Sequence, residues 1–178
     1  MNTVRTYSGN DVDLLNPDPR TIAIEDIAHH LAKLDRYNGA SHFPYSVGQH
    51  SLLVSDLLPK QLKLTGLLHD ATEAYLGDVV SPLKALLPEY RKIESNVYQA
   101  VCKAFSIPYP RSKCIKQADR AIMAVEMEQV VMWPDLSKRP DLPPAPENVK
   151  ITPMRWQDVK EAFLERFRSL HQERRLGR

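Results

Sequence analysis

The strongest constraint in this sequence is a helical period that returns between proline and glycine breaks. Ile24, Ile27, Ala28, Leu31 and Leu34 recur at the roughly 3.6-residue spacing of a helix with one buried face. The pattern predicts a helix from Ile24 that ends before Asn38-Gly39. It predicts further helices over Val47–Leu58, stopped by Pro59, and over Leu62–Tyr75, stopped by Gly77. A short piece follows Ser81-Pro82, then longer helices over Glu89–Phe105 and Ser112–Val131, the latter ended by Trp133-Pro134. Thr152-Pro153 reads as a cap with proline at the first helical position, opening a last helix that turns Val159, Phe163, Phe167 and Leu170 inward. Arg36–Tyr45 reads as a loop, and so do residues 138–150, which hold four prolines.

Only the first twenty residues or so escape this period. Val4–Tyr7 can form a short strand, Ser8-Gly9-Asn10-Asp11 a turn, and Asn16-Pro17-Asp18-Pro19 a stiff run before the first helix. No internal repeat is visible. The expectation is an all-α fold, a compact bundle of about six or seven helices behind a short non-helical N-terminal segment. Two domains would be cramped in 178 residues, so residues 1–178 are read as one. A composition 43% hydrophobic and 26% charged supplies an ordinary buried core. Lys+Arg 24 against Asp+Glu 22 leaves a net charge of +2, which argues against a protein that coats nucleic acid. No apolar run approaches the ~18 residues of a membrane span, and no basic-then-apolar leader follows Met1. A cytoplasmic protein is therefore expected. Cys102 and Cys114 fit no metal-binding spacing and read as reduced thiols.

The densest polar cluster in an apolar stretch is Leu67-Leu68-His69-Asp70-Ala71-Thr72-Glu73. On a continuous helix, Glu73 would sit one turn beyond His69 on the same face, while His69 and Asp70 would diverge by about 100°. Two carboxylates and an imidazole in such a stretch carry a desolvation cost unless a cation or hydrogen bonds offset it. Upstream, Tyr45-Ser46-Val47-Gly48-Gln49-His50-Ser51 puts a histidine near a helix start. Downstream, Lys116-Gln117-Ala118-Asp119-Arg120 puts an aspartate inside a strongly helical segment. His29, His30, His42 and His171 read as surface or packing residues, and Trp156 and Trp133 as packing residues. The moderately basic tail from Arg155 reads as a solvated face or an oligomer contact.

The order of a histidine, a His-Asp pair and a distant aspartate resembles the signature of the HD-domain metal-dependent phosphohydrolases, over about residues 22–130. Gln49-His50-Ser51, His69–Glu73, Gly77-Asp78, Pro82-Leu83-Lys84 and Lys116–Asp119 are similar to bacterial 5′-deoxynucleotidases and to phage deoxyadenosine triphosphate triphosphohydrolases. The resemblance implies that His50, His69, Asp70 and Asp119 hold a divalent metal ion. Two imidazoles and two carboxylates suit Zn²⁺, Co²⁺, Mn²⁺ or Fe²⁺ better than Mg²⁺ alone. It implies that Glu73 orients or deprotonates the attacking water and that Asp78 assists it or holds further ions, additional Mg²⁺ or Co²⁺ accompanying a triphosphate substrate. Arg36, fourteen residues before His50, matches a phosphate-gripping arginine, and Tyr37 an aromatic that stacks on sugar or base. Lys84 and Lys116 are further phosphate-binding candidates, and Ile22 a candidate for the base pocket.

The expected activity is hydrolysis of 2′-deoxynucleotides by an enzyme acting on small molecules, not on nucleic-acid polymers or membranes. The Ser-Val-Gly-Gln-His run and the Asn-Pro-Asp-Pro segment favour a dNTP (dATP) triphosphohydrolase releasing deoxynucleoside and triphosphate. The alternatives are a 5′-deoxynucleotidase acting on dNMPs and, in a different class, a regulatory HD module that binds a nucleotide without cleaving it. Relatives of this kind are usually homo-oligomers, and a phage-encoded member would work in the host cytoplasm.

Overall fold

The computed structural model describes residues 2–131 and 141–176, the side chains of 175 and 176 excepted. Thr3–Arg5 (β1) and Asp11–Asp13 (β2) pair antiparallel, with Val4 opposite Val12. Eight α-helices follow among the described residues: α1 Ile24–Lys33, α2 Val47–Leu57, α3 Lys63–Leu67, α4 Glu73–Leu76, α5 Ser81–Leu86, α6 Pro88–Ala104, α7 Lys113–Gln129 and α8 Trp156–Leu176. The expected all-α bundle with a non-helical N-terminal segment is what forms. None of these helices is long and apolar enough to cross a membrane.

Helix α2 is the axis of the bundle. It packs against α1, α3, α7 and α8, and nearly every residue from Val47 to Ser55 is buried. A helix covered on all sides can carry a polar side chain into the interior only if that side chain finds partners there. Ser46 starts it, its hydroxyl accepting the backbone N–H of Gln49 at 3.2 Å. Gly66 of α3 permits the close approach on the other side, since a Cβ there would stand 2.2 Å from a Leu58 methyl. The main core gathers Val12, Ile27, Leu31, Leu67, Val97, Val101 and Phe163. Ile22 belongs to this same cluster.

The N-terminal hairpin is pinned to α1 by two side chains. Buried Asp26 accepts the Ser8 N–H at 2.7 Å and the Ser8 hydroxyl at 2.8 Å. Burial opposes its ionisation, but these hydrogen bonds outweigh it and lower its pKa. His30 accepts the Tyr7 N–H at 3.1 Å and faces the Ala74 carbonyl through Nδ1 at 2.6 Å. It therefore ties the hairpin to α4, a role beyond the surface or packing position expected for it.

Two boundaries differ from the periodic reading. The helix expected over Leu62–Tyr75 is interrupted: α3 stops at Leu67 and α4 begins at Glu73. Between them the backbone bonds are short-range, with Ala71 N–H on Leu68, Glu73 N–H on Asp70 and Tyr75 N–H on Thr72. The His69 imidazole takes the Gly66 carbonyl at 2.8 Å, offering the backbone an alternative to the regular ladder. The last helix starts at Trp156 rather than at Pro153, and ahead of it the Thr152 carbonyl accepts the Gln49 side-chain amide at 2.7 Å. Trp156 itself is 38% exposed, with Lys33 over its ring. Trp133-Pro134, the expected stop of α7, lies outside the described residues; of the proline-rich loop, residues 141–150 run without helix or strand.

Candidate metal centre

Three segments converge on one point: α2 with His50, the α3–α4 connection with His69 and Asp70, and α7 with Asp119. His50 Nε2 lies 3.3 Å from His69 Nε2, 3.2 Å from Asp119 Oδ1 and 3.7 Å from Asp70 Oδ2. His69 Nε2 lies 3.1 Å from Asp70 Oδ2. The ligand atoms of His50, His69 and Asp119 are all within 4.8 Å of one another, and this group could hold a metal ion. A tetrahedral shell with metal–nitrogen bonds near 2.0–2.1 Å has edges of about 3.3–3.4 Å, close to the spacing of the two imidazole nitrogens.

The second nitrogens explain why both Nε2 atoms face inward. His69 Nδ1 donates to the Gly66 carbonyl, and His50 Nδ1 meets Glu126 Oε1 at 2.6 Å. An imidazole whose Nδ1–H is held by an oxygen presents its Nε2 lone pair to a cation. The donor set therefore fits a borderline divalent ion. Burial and Arg36 oppose protonation of His50, but Glu126 and Asp119 outweigh them and raise its pKa to about 9. The carboxylates around this imidazole call for positive charge at the centre.

Glu126 is the residue that the sequence reading missed. It is wholly buried and accepts four donors: Arg36 Nη2 at 3.0 Å and the Tyr37 hydroxyl on one oxygen, the Tyr45 hydroxyl at 2.8 Å and His50 Nδ1 on the other. Burial would raise its pKa, but Arg36 and His50 outweigh it and hold the carboxyl well below the ordinary range. The loop between α1 and α2 delivers these donors because it closes on itself. Arg36 N–H bonds the Tyr45 carbonyl at 2.9 Å, Val47 N–H bonds Leu34, and Asp35 bridges Ser46. Tyr37 sits at φ +56°, a conformation costly for a bulky residue that its hydrogen bond to Glu126 offsets. A signal was present in the sequence. Glu126 stands seven residues after Asp119 within the apolar run Ala124-Val125-Glu126-Met127, hence on the same face two turns on.

The remaining candidates fall into two groups. The interruption ties Asp70 to Glu73, whose N–H bonds the Asp70 carbonyl at 3.0 Å and whose carboxyl feels the Asp70 charge, in place of the α-helical step from His69 to Glu73. Glu73 is buried, its Oε2 has no hydrogen-bond partner, and its Oε1 lies 3.6 Å from Lys84 Nζ. Burial, then the charges of Asp70 and Asp78, push its pKa well above the usual value. Asp78, half-buried beyond Gly77, is raised chiefly by burial. Arg36 lies within the site, 3.8 Å from Asp70, and its buried Nε has no partner. Lys84 joins the rim through Glu73 and, at 2.8 Å, Glu94. By contrast, Lys116 is exposed one turn before Asp119, and Ile22 lies in the main core.

Replacing His69 or Asp119 by alanine should remove tightly bound transition metal, because each leaves an incomplete shell. Elemental analysis of the purified variants checks this, and full occupancy in both overturns the ligand assignment.

A helical fold with a His/His/Asp cluster of this kind fits an HD-like domain. No protein-family model matches the chain. Over 98% of its length it is 35% identical to the uncharacterised protein YfdR of Escherichia coli strain K12, covering 99% of that protein. It is also 39% identical to an uncharacterised protein of Rhodobacter capsulatus, over 71% of each chain.

Proposed function

The chain belongs to the family of the E. coli protein YfdR, and we propose that it is a metal-dependent phosphohydrolase of 2′-deoxynucleotides. The substrate proposed is a dNTP such as dATP, cleaved to deoxynucleoside and triphosphate. The observation that carries this reading is one buried carboxyl beside the cluster. Glu73 holds a buried, unpartnered carboxylate oxygen and feels the charge of Asp70, one of the two aspartates that converge with two imidazoles. A purely structural ion site has no use for it.

His50, His69, Asp119 and Asp70 would hold the ion, which when bound polarises a phosphoryl oxygen and acidifies a water. Glu73 Oε2 accepts the proton of the attacking water, a role favoured by the burial and the Asp70 and Asp78 charges that raise its basicity. Arg36 and Lys84 place positive charge where phosphate oxygens gain negative charge. Asp78 stands beyond Glu73, placed to share further cations brought by a polyphosphate.

Chromatography of the products formed from dATP by the metal-loaded protein tests the reading. Deoxyadenosine and inorganic triphosphate should appear together, with no dADP or dAMP intermediate, since attack at the α-phosphorus with the deoxyribose 5′-oxygen as leaving group releases the α, β and γ phosphates as one group. Cleavage of dAMP with dATP untouched would move the assignment to a 5′-deoxynucleotidase. Binding of deoxynucleotides without cleavage would make the protein a regulatory module.

A further inference from the structure

Helix α5 inverts the usual arrangement of a surface helix. Its proline, leucines and alanine are exposed, Leu86 at 76%, and Lys84 is the one residue of the six that is not. A six-residue helix without a buried apolar side chain gains little from the core, so its contact with α6 leans on that lysine.

Helix α6 meets Lys84 with two residues four apart on one face. Lys84 Nζ donates to Glu94 Oε1 at 2.8 Å and lies 5.7 Å from the centroid of the Tyr90 ring. The Tyr90 hydroxyl also donates to the Gly77 carbonyl at 3.4 Å, in the turn that leads to Asp78. The same ammonium stands 3.6 Å from Glu73 Oε1, an ion-pair distance beyond hydrogen-bond reach. The side chains of Glu73, Glu94 and Lys84 are all largely shielded from water. Attraction in such surroundings would draw a free ammonium onto Glu73, yet it bonds Glu94 instead. One N–H is thereby committed and, among the described residues, two have no hydrogen-bond acceptor. Glu73 Oε2 is likewise without a partner.

We propose that Glu94 is a positioning residue that holds the Lys84 ammonium short of Glu73. The remaining N–H groups of Lys84 stay open to phosphate oxygens of the substrate, and the Glu73 carboxylate stays open to water. The assignment rests on the phosphohydrolase reading. It adds a residue of α6 that the HD resemblance did not single out.

A double-mutant cycle on the full-length, metal-loaded protein tests it. Two quantities are read, kcat/KM for dATP and the calorimetric affinity for inorganic triphosphate, with elemental analysis as a control for the metal. Glu94→Ala should lower both about tenfold at unchanged metal content, the usual worth of one charge-assisted contact. Glu94→Gln should recover part of the loss, because its carbonyl oxygen still accepts from Lys84. In a Lys84→Ala background, Glu94→Ala should cost nothing further. A merely structural role in α6 would persist without Lys84, so equal losses in the two backgrounds overturn the proposal. Wild-type triphosphate affinity in Glu94→Ala also overturns it, and so does a wild type that binds no triphosphate. Failure of the premise reads differently. No cleavage of any deoxynucleotide, with triphosphate affinity still dependent on Glu94 and Lys84, removes the phosphohydrolase reading and leaves the positioning role. Cleavage of dATP with kcat/KM and affinity unchanged in Glu94→Ala does the reverse.

Discussion

Replacing Glu126 by alanine should cost about 3–5 kcal/mol of folding stability, the range found when one partner of a buried ion pair is removed. The same change should weaken metal binding by about 10–100-fold, as expected when the oxygen that orients a ligating imidazole is lost. Both effects follow from one carboxylate with four donors. Without it, the Arg36 guanidinium is left buried opposite only a distant Asp70 contact, two tyrosine hydroxyls lose their acceptor, and His50 is free to change tautomer. Urea unfolding of the metal-free protein measures the first effect, and metal titration the second. Glu126→Gln should fall between wild type and Glu126→Ala, because it keeps the shape and removes the charge. Arg36→Met combined with Glu126→Gln should be more stable than Glu126→Ala, since neither charge is then left unpaired. Wild-type metal affinity in Glu126→Ala would reduce Glu126 to a core ion pair with no bearing on the centre.

The parts of this molecule legible in its sequence are those that local chemistry determines. The amphipathic periods gave α1, α2, α6 and α7 within a residue or two, because burial of one face and the Pro and Gly breaks set those bounds together. The order of the candidate ligands His50, His69, Asp70 and Asp119, of which the structure gathers His50, His69 and Asp119 into a possible metal site, was legible for a different reason, through its resemblance to an ordered motif. The interruption between Leu67 and Glu73 was not. Periodicity sees only apolar positions, and those continue through the break; a side chain taking a backbone carbonyl at His69 decides it. Glu126 was missed because a lone glutamate on a helix is normally solvated. Only the closed loop that brings Arg36, Tyr37 and Tyr45 to it makes its burial tolerable. Arg36 and Tyr37 were singled out for phosphate and sugar. What the structure adds is that both hold Glu126, so changes at either residue act on His50 as well as on any ligand.

Under the proposed function, substitution of Glu73 should separate catalysis from metal holding. Glu73→Gln should keep the fold and the metal, yet lower turnover by about 10²–10⁴, the usual worth of a positioned general base. The amide is nearly isosteric with the carboxylic acid, so the packing of α4 is kept. It cannot accept a proton and hold it, so the proton of the attacking water loses its destination. Substitution also removes a negative charge from beside Asp70 and Asp78, whose repulsion helps to raise the Glu73 pKa. Metal affinity should therefore change little, because His50, His69 and Asp119 keep their spacing. Single-turnover kinetics on dATP with metal content measured on the same sample check this directly. A wild-type rate would show that the unpartnered oxygen of Glu73 serves only to tune neighbouring charges. A slow rate with half the metal missing would instead place Glu73 in the metal's own shell. Only a slow rate at full occupancy assigns it the proton.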